Sequence, residues 1–267
     1  MTARPAHLPD FDSPPLEEVI LGVQFAALKN YTSVVAHGVW ALFKEEYPDV
    51  EEHPALDPSF EIFGGTSGFQ TNLQFRFGNP IRGRLWFVSP EKNHLIQFQE
   101  DRLLLNWRRE KGSKYPHFES IASIFQSHLQ ALQNFTIKQL ESTLDIKQVE
   151  VTYVNLIPVA NYSLISEWFE FIKLSGIDLE GLNLTFNEVI SGIDGKPYAR
   201  FVHELQSAIT RDGKEKGFRF NLTFRGKPSG NQISDAMSFA SAGREKIVTR
   251  FKALTTEYAH KQWELKV

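Results

Sequence analysis

The sequence predicts an α+β fold made of two pseudo-repeated β-α-β(3-4)-α halves, with antiparallel sheets packed on long helices. Three observations predict it. Many short segments alternate apolar and polar residues at period two. Two long segments near residues 115–135 and 233–263 carry apolar residues at helical spacing. The elements also recur in the same order in the two halves of the 267 residues.

The first strand is expected over Leu16 to Leu28, where Val19, Leu21, Val23 and Phe25 alternate with other residues. Thr32 or Ser33 can cap a helix from Val34 to Tyr47, which Pro48 ends. Pro48 to Gly68 holds prolines, acids and a GGTSG run, and reads as an irregular connection. Four strands follow at Phe69 to Phe77, Arg82 to Val88, His94 to Gln99 and Arg102 to Arg108, separated by turn residues. Tyr115 and Pro116 open a helix to about Phe135. The order then begins again: a strand at Val149 to Val159, and a short helix capped by Ser163 and closed near Leu174 by Gly176. Strands at Leu184 to Ile193, Tyr198 to Thr210 and Gly217 to Arg225 lead to one long helix from Ile233 to Trp263.

The halves therefore read βαββββα (residues 14–140) and βαβββα (residues 141–267), after a loose N-terminal arm at 1–13. That order is similar to a β-α-β(4)-α unit in which an antiparallel sheet curls around a long helix, as in TATA-binding-protein-like or helix-grip folds. The likeness concerns topology and carries no function.

Composition narrows the chemistry. With 42% hydrophobic residues the chain is of ordinary globular type. The absence of cysteine excludes disulfides, thiolate metal sites and a cysteine nucleophile. A formal charge of -3 removes the long-range attraction of a strongly basic nucleic-acid binder. MTARPAHLPDFDSPP has no apolar leader, and no apolar run approaches the roughly 18 residues of a membrane helix, so a cytoplasmic location without membrane contact is expected.

The strand faces carry the candidate binding residues. Gln70, Asn72, Gln74 and Arg76 oppose the aromatic side of Phe69 to Phe77, and Arg219, Asn221, Thr223 and Arg225 oppose Phe218, Phe220, Leu222 and Phe224. Amides and guanidiniums at two-residue spacing suit a binding face, while the same pattern fits a solvated face or a surface covered by another copy. Cations beside aromatics, such as Arg82 and Arg84 near Trp86, or Arg108, Arg109, Lys111 and Lys114 after Trp107, could hold single-stranded nucleic acid. Glu110, Asp212 and Glu215 interrupt the cationic runs.

Catalytic motifs are missing. The sequence has no HExxH, paired metal histidines, EF-hand loop, phosphate-cradling glycine motif or GxSxG elbow. We therefore assign no catalytic residue, metal or cofactor. His203 shares a strand face with Phe201 and Leu205 and reads as a core histidine.

PPLEEVILGVQF, RLWFVSPEKNHLIQFQEDRLLLNWRR, YPHFESIASIF, VEVTYVNLIPV and REKIVTRFKALTTEYAHKQWEL together resemble an uncharacterised, sporadically distributed prokaryotic family of about this length. The matching positions include Asp101, Arg102, Asn106 and Trp107, then Tyr115, Tyr153, Asn155, His260 and Trp263. Family members end in Trp-Gly, whereas Glu264 follows Trp263 here. The patchy distribution resembles that of mobile defence or toxin–antitoxin genes. It implies an accessory, sensor or antitoxin-like protein with a protein partner encoded by a neighbouring gene.

The expected function is thus non-enzymatic protein binding, with self-association through a sheet face or edge. The alternatives are a nucleic-acid-binding module using the amide and arginine face, and a helix-grip pocket for a small ligand.

Overall fold

The alternating segments join edge to edge: among the described residues, nine strands form one antiparallel sheet. The computed structural model describes residues 4–57, 60–64, 83–110, 113–174, 176–210 and 213–266. The first half supplies β1 (Leu16–Phe25), α1 (Ser33–Phe43), β2 (Asp49–His53), β3 (Arg84–Val88), β4 (His94–Gln99), β5 (Arg102–Arg108) and α2 (Phe118–Leu140). The second supplies β6 (Ile146–Val159), a 3-10 turn (Tyr162–Leu164), α3 (Ile165–Trp168), β7 (Asn183–Ser191), β8 (Pro197–Ile209), β9 (Lys216–Gly226), α4 (Ile233–Leu254) and α5 (Glu257–Gln262). The sheet order is β2-β3-β4-β5-β1-β6-β9-β8-β7. In each half the last strand lies beside the first, and the two first strands meet at the centre, with Val19 opposite Tyr153 and Val23 opposite Val149. One sheet is therefore continuous across both halves.

Helices cover one face of it. α2 turns Phe118, Ile121, Phe125, Leu129 and Leu132 inward, and α4 turns Ile233, Ala236, Ala240, Ile247 and Phe251 inward. Each large side chain buried this way contributes roughly 1.5–3 kcal/mol. Close approach of α4 to β9 depends on Gly243, where a Cβ would stand 2.9 Å from the Phe224 ring. Much of the aromatic content lies in this layer: Phe201, Phe218, Phe220 and Phe224 are buried, and Phe169 meets Phe218 and Phe220 edge-on at 5.9 and 5.3 Å. No helix among the described residues is long and apolar enough to cross a membrane.

Several expectations need correcting. Asp49–His53, read as irregular, is an edge strand with Glu51 opposite Trp86. It was hidden because both its faces are largely exposed, so no apolar alternation marks it, and its acids suit an edge that must not pair further. The long terminal helix is two helices. Thr255 is extended (φ -108, ψ 154) and bridges to Phe169, while the Thr256 side chain caps α5 by accepting from the Ala259 N–H at 3.2 Å. The helix at 163–174 is likewise short, capped by Asn161 in place of Ser163. The N-terminal arm is held, not loose, from residue 4 onward. Phe11 bridges to Leu265, and Lys266 reaches Asp10 and Asp12 at 2.9 and 2.8 Å. The expected strand Phe69 to Phe77 lies outside the described residues.

Candidate functional site

Strand pleating sorts the polar residues onto two faces. Directly opposed residues share a face, so the register assigns Arg84, Trp86, Gln97, Gln99, Arg102, Asn106, Arg108 and Glu18 to the side away from the helices. Gln148, Glu150, Thr152, Asn221, Thr223, Arg225 and Arg200 continue that side across the second half.

In the first half these groups form a cross-strand chain. Arg84 donates to Gln97 Oε1 at 2.7 Å, Gln97 donates to Asn106 Oδ1 at 2.9 Å, and Asn106 donates to Glu18 Oε1 at 2.8 Å. Arg108 donates to the same Glu18 oxygen at 2.8 Å. The Trp86 ring lies under both Arg84 and Arg108, at 5.4 and 4.9 Å, and stacks on His53 at 3.9 Å. Such a chain sets strand register and stiffens the surface.

A segment of the chain itself crosses this face. Residues 54–57 and 60–64 run over the sheet from β4 to β8. Gln99 accepts from the Leu56 N–H at 2.8 Å and donates to the Leu56 carbonyl at 2.9 Å, and Arg102 donates to the Asp57 carbonyl at 3.1 Å. Farther on, Gln148 Oε1 accepts from the Glu61 N–H at 2.9 Å. The Glu61 carboxylate, with 7% of its side chain exposed, is held by Arg200 on one oxygen and by Arg225 on the other at 2.6 Å. Arg225 also pairs with Glu150 at 3.3 Å. Burial works against its charge, but Glu150 and Glu61 outweigh that and raise its pKa. A cavity of about 280 Å³ lies under the segment, walled by Arg102, Arg225, Glu150 and Leu56 over Gly22.

The opposite face holds a second polar group, inside the core. The Tyr115 and Tyr153 hydroxyls are 3.0 Å apart, Arg244 pairs with Glu119 and lies 4.9 Å over Phe118, and Asn155 donates to the Phe220 carbonyl at 3.1 Å. Burial raises both tyrosine pKa values, so both hydroxyls stay protonated. The adjoining cavity is only about 70 Å³, closed in part by Arg4, Asp10 and Phe11.

The residues singled out from the sequence divide between the faces. Asp101 and Arg102 pair through two bonds of 3.0 and 3.1 Å at the β4–β5 hairpin, and Arg102 also grips the crossing segment. Asn106 belongs to the cross-strand chain. Trp107, one residue on, points into the core 5.1 Å from Tyr115, which with Tyr153 and Asn155 lines the small helix-side cavity. His260 lies 2.9 Å from Thr255 Oγ1, and Trp263 stacks on Phe251 at 5.1 Å. This pair fastens α5 to α4 and to Phe11 of the arm. Of the predicted binding face, Thr223 meets Thr152 at 2.8 Å, Asn221 faces Glu204, Arg219 is exposed beside Glu18 and Leu156, and Arg225 holds Glu61. Gln70, Asn72, Gln74 and Arg76 lie outside the described residues. His203 is fully buried between Phe186 and Phe201, each at 4.3 Å.

Sequence reasoning missed Glu61, Arg200 and Gln148. Glu61 sits in a Pro- and acid-rich connection, and no local pattern ties it to arginines 139 and 164 residues away. Among the described residues no three His, Asp or Glu side chains gather as a metal would require. No protein-family model matches the chain, and no match was found among curated proteins.

Proposed function

We propose that this protein is a non-enzymatic binding protein that engages a protein partner on the polar face of its sheet, in the manner of an accessory or antitoxin-like subunit whose partner is encoded beside it. The observation that carries the reading is that this face already holds polypeptide, the chain's own residues 54–57 and 60–64, through main-chain and side-chain contacts.

The competing readings fit the geometry less well. A nucleic-acid surface needs uncompensated cations. Here Arg102, Arg108, Arg200 and Arg225 are each bonded to a carboxylate, and Arg84 to an amide. A small-ligand site of ordinary size occupies roughly 300 Å³ or more. The helix-side cavity of about 70 Å³ falls well short of that.

Co-expression with the product of the neighbouring gene tests the proposal. We expect a stoichiometric complex by light scattering that Arg219→Glu, an exposed change on the polar face, weakens at least tenfold. A chain that stays alone, or a complex indifferent to this substitution, removes the support. A labelled single-stranded oligonucleotide, titrated at rising salt, checks the nucleic-acid alternative.

A further inference from the structure

From the contacts of residues 54–64 we infer that the Arg200–Arg225 pair is a receptor for one carboxylate side chain on an extended segment of the partner protein, and that Glu61 is its intramolecular stand-in. The inference rests on the binding-protein reading above and specifies the ligand of that face.

Charge supports it first. Arg200 and Arg225 are directly opposed on β8 and β9. Glu150, fixed on β6, compensates one guanidinium, and Glu61 compensates the other. With the segment lifted away, the site is one negative charge short, which suits a single carboxylate and not a dianionic phosphate. Each guanidinium takes its own carboxylate oxygen, Arg225 through both Nε at 2.8 Å and NH2 at 2.6 Å. The fork therefore fixes the plane of the acid as well as its charge.

Main-chain recognition supports it second. Gln148 reads the N–H of residue 61, Arg200 donates to the carbonyl of residue 62 at 3.0 Å, and Gln99 bonds both main-chain groups of residue 56. These contacts ask only for main-chain groups and no particular side chain. Of the segment's apolar side chains, Ile62 stands out at 77% exposed, Leu56 and Phe60 are 38% and 47% exposed, Leu56 walls the cavity beneath the segment, and Phe63 lies 5.5 Å under the Arg200 guanidinium. The hydrogen bonds and the ion pair go to main-chain groups and to one carboxylate, so another chain carrying an acid at the same place can repeat them. Tethering is what favours the resident copy, since a short linker supplies an effective concentration in the millimolar range.

The test uses the full chain and a fluorescein-labelled synthetic peptide with the sequence of residues 54–64, alongside the same peptide with Gln for Glu. Wild-type protein should bind either peptide weakly. Glu61→Gln, which removes the resident acid, should bind the acidic peptide at least about tenfold more tightly than wild type does, by fluorescence anisotropy. The Gln peptide should lose that gain, as should the acidic peptide against Glu61→Gln combined with Arg200→Gln. Circular dichroism melts establish that each variant is folded, and Glu61→Asp serves as a second, milder release. Equal binding of both peptides, no gain in either released variant, or preferential binding of a single-stranded oligonucleotide overturns the inference. If the peptides fail while Arg219→Glu still breaks a complex with the co-encoded protein, only this inference falls. If the peptides bind and no such complex forms, the partner assignment falls instead.

Discussion

Acidification should destabilise this protein through one buried histidine. His128 on α2 is 5% exposed, its ring 5.0 Å from Phe43 and 5.4 Å from Tyr47. Burial, with the nearby His94 adding to it, pushes its pKa down to about 4. An unfolded chain binds that proton near pH 6.5. Between these values the unfolded state holds more protons than the folded one, so stability is full above about pH 6.5 and is lost as the pH falls toward 4. Integrating the linkage gives a loss of about 2 kcal/mol on going from pH 7 to pH 5, and about 3 kcal/mol by pH 4. Burial also lowers the pKa of His94, His203 and His260, so the whole chain will show a steeper dependence. His128→Phe isolates the term, because it keeps a ring against Phe43 and Tyr47 and removes the proton site. Urea unfolding at pH 7, 6 and 5 should show the variant losing about 2 kcal/mol less than wild type over that range. Parallel stability curves, or an NMR titration placing the His128 pKa near 6.5, would refute the reasoning.

Three further outcomes follow from the packing. Gly226→Ala should cost about 2–3 kcal/mol in urea unfolding, because its Cβ would stand 2.2 Å from the Tyr198 carbonyl and 2.6 Å from the Ala199 Cα, and β8 and β9 cannot separate without breaking their pairing. Asn106→Leu should cost about 1–3 kcal/mol, since it strips the buried Gln97 amide and Glu18 of a partner at 2.9 and 2.8 Å. An unchanged midpoint would mean that the cross-strand chain is dispensable. Glu119→Gln alone should cost about 3–5 kcal/mol by leaving the buried Arg244 charge uncompensated, while Glu119→Gln with Arg244→Met should recover much of it in a double-mutant cycle.

Much of the fold was legible because burial leaves a mark on each strand. In β9 the run Phe218, Phe220, Leu222, Phe224 alternates with Arg219, Asn221, Thr223, Arg225, and the residues of the first set are all buried. Strands β4 and β5 fall on the expected residues because Glu100 and Asp101 turn the chain between two clear runs. Legibility fails where one element depends on another. Thr256 offers a local cap for α5 but nothing local ends the helix before it, and Thr255 leaves that helix where it bridges to Phe169. Nothing local marks Asp49–His53 as a strand, because its partner β3 supplies the reason for it.

The candidate site divides along the same line. By itself the sequence determined which side chains share a strand face, since pleating is a two-residue periodicity of the backbone, and so it placed Thr223 and Arg225 on one polar surface. It also determined the two long helical stripes and the absence of thiol chemistry. Only the tertiary structure decided that the two half-sheets meet along β1 and β6, and that Arg200 and Arg225 close on Glu61 from strands far along the chain. Charge pairing is set by distance in space, and a linear pattern holds no record of which acid a loop will carry to which arginine.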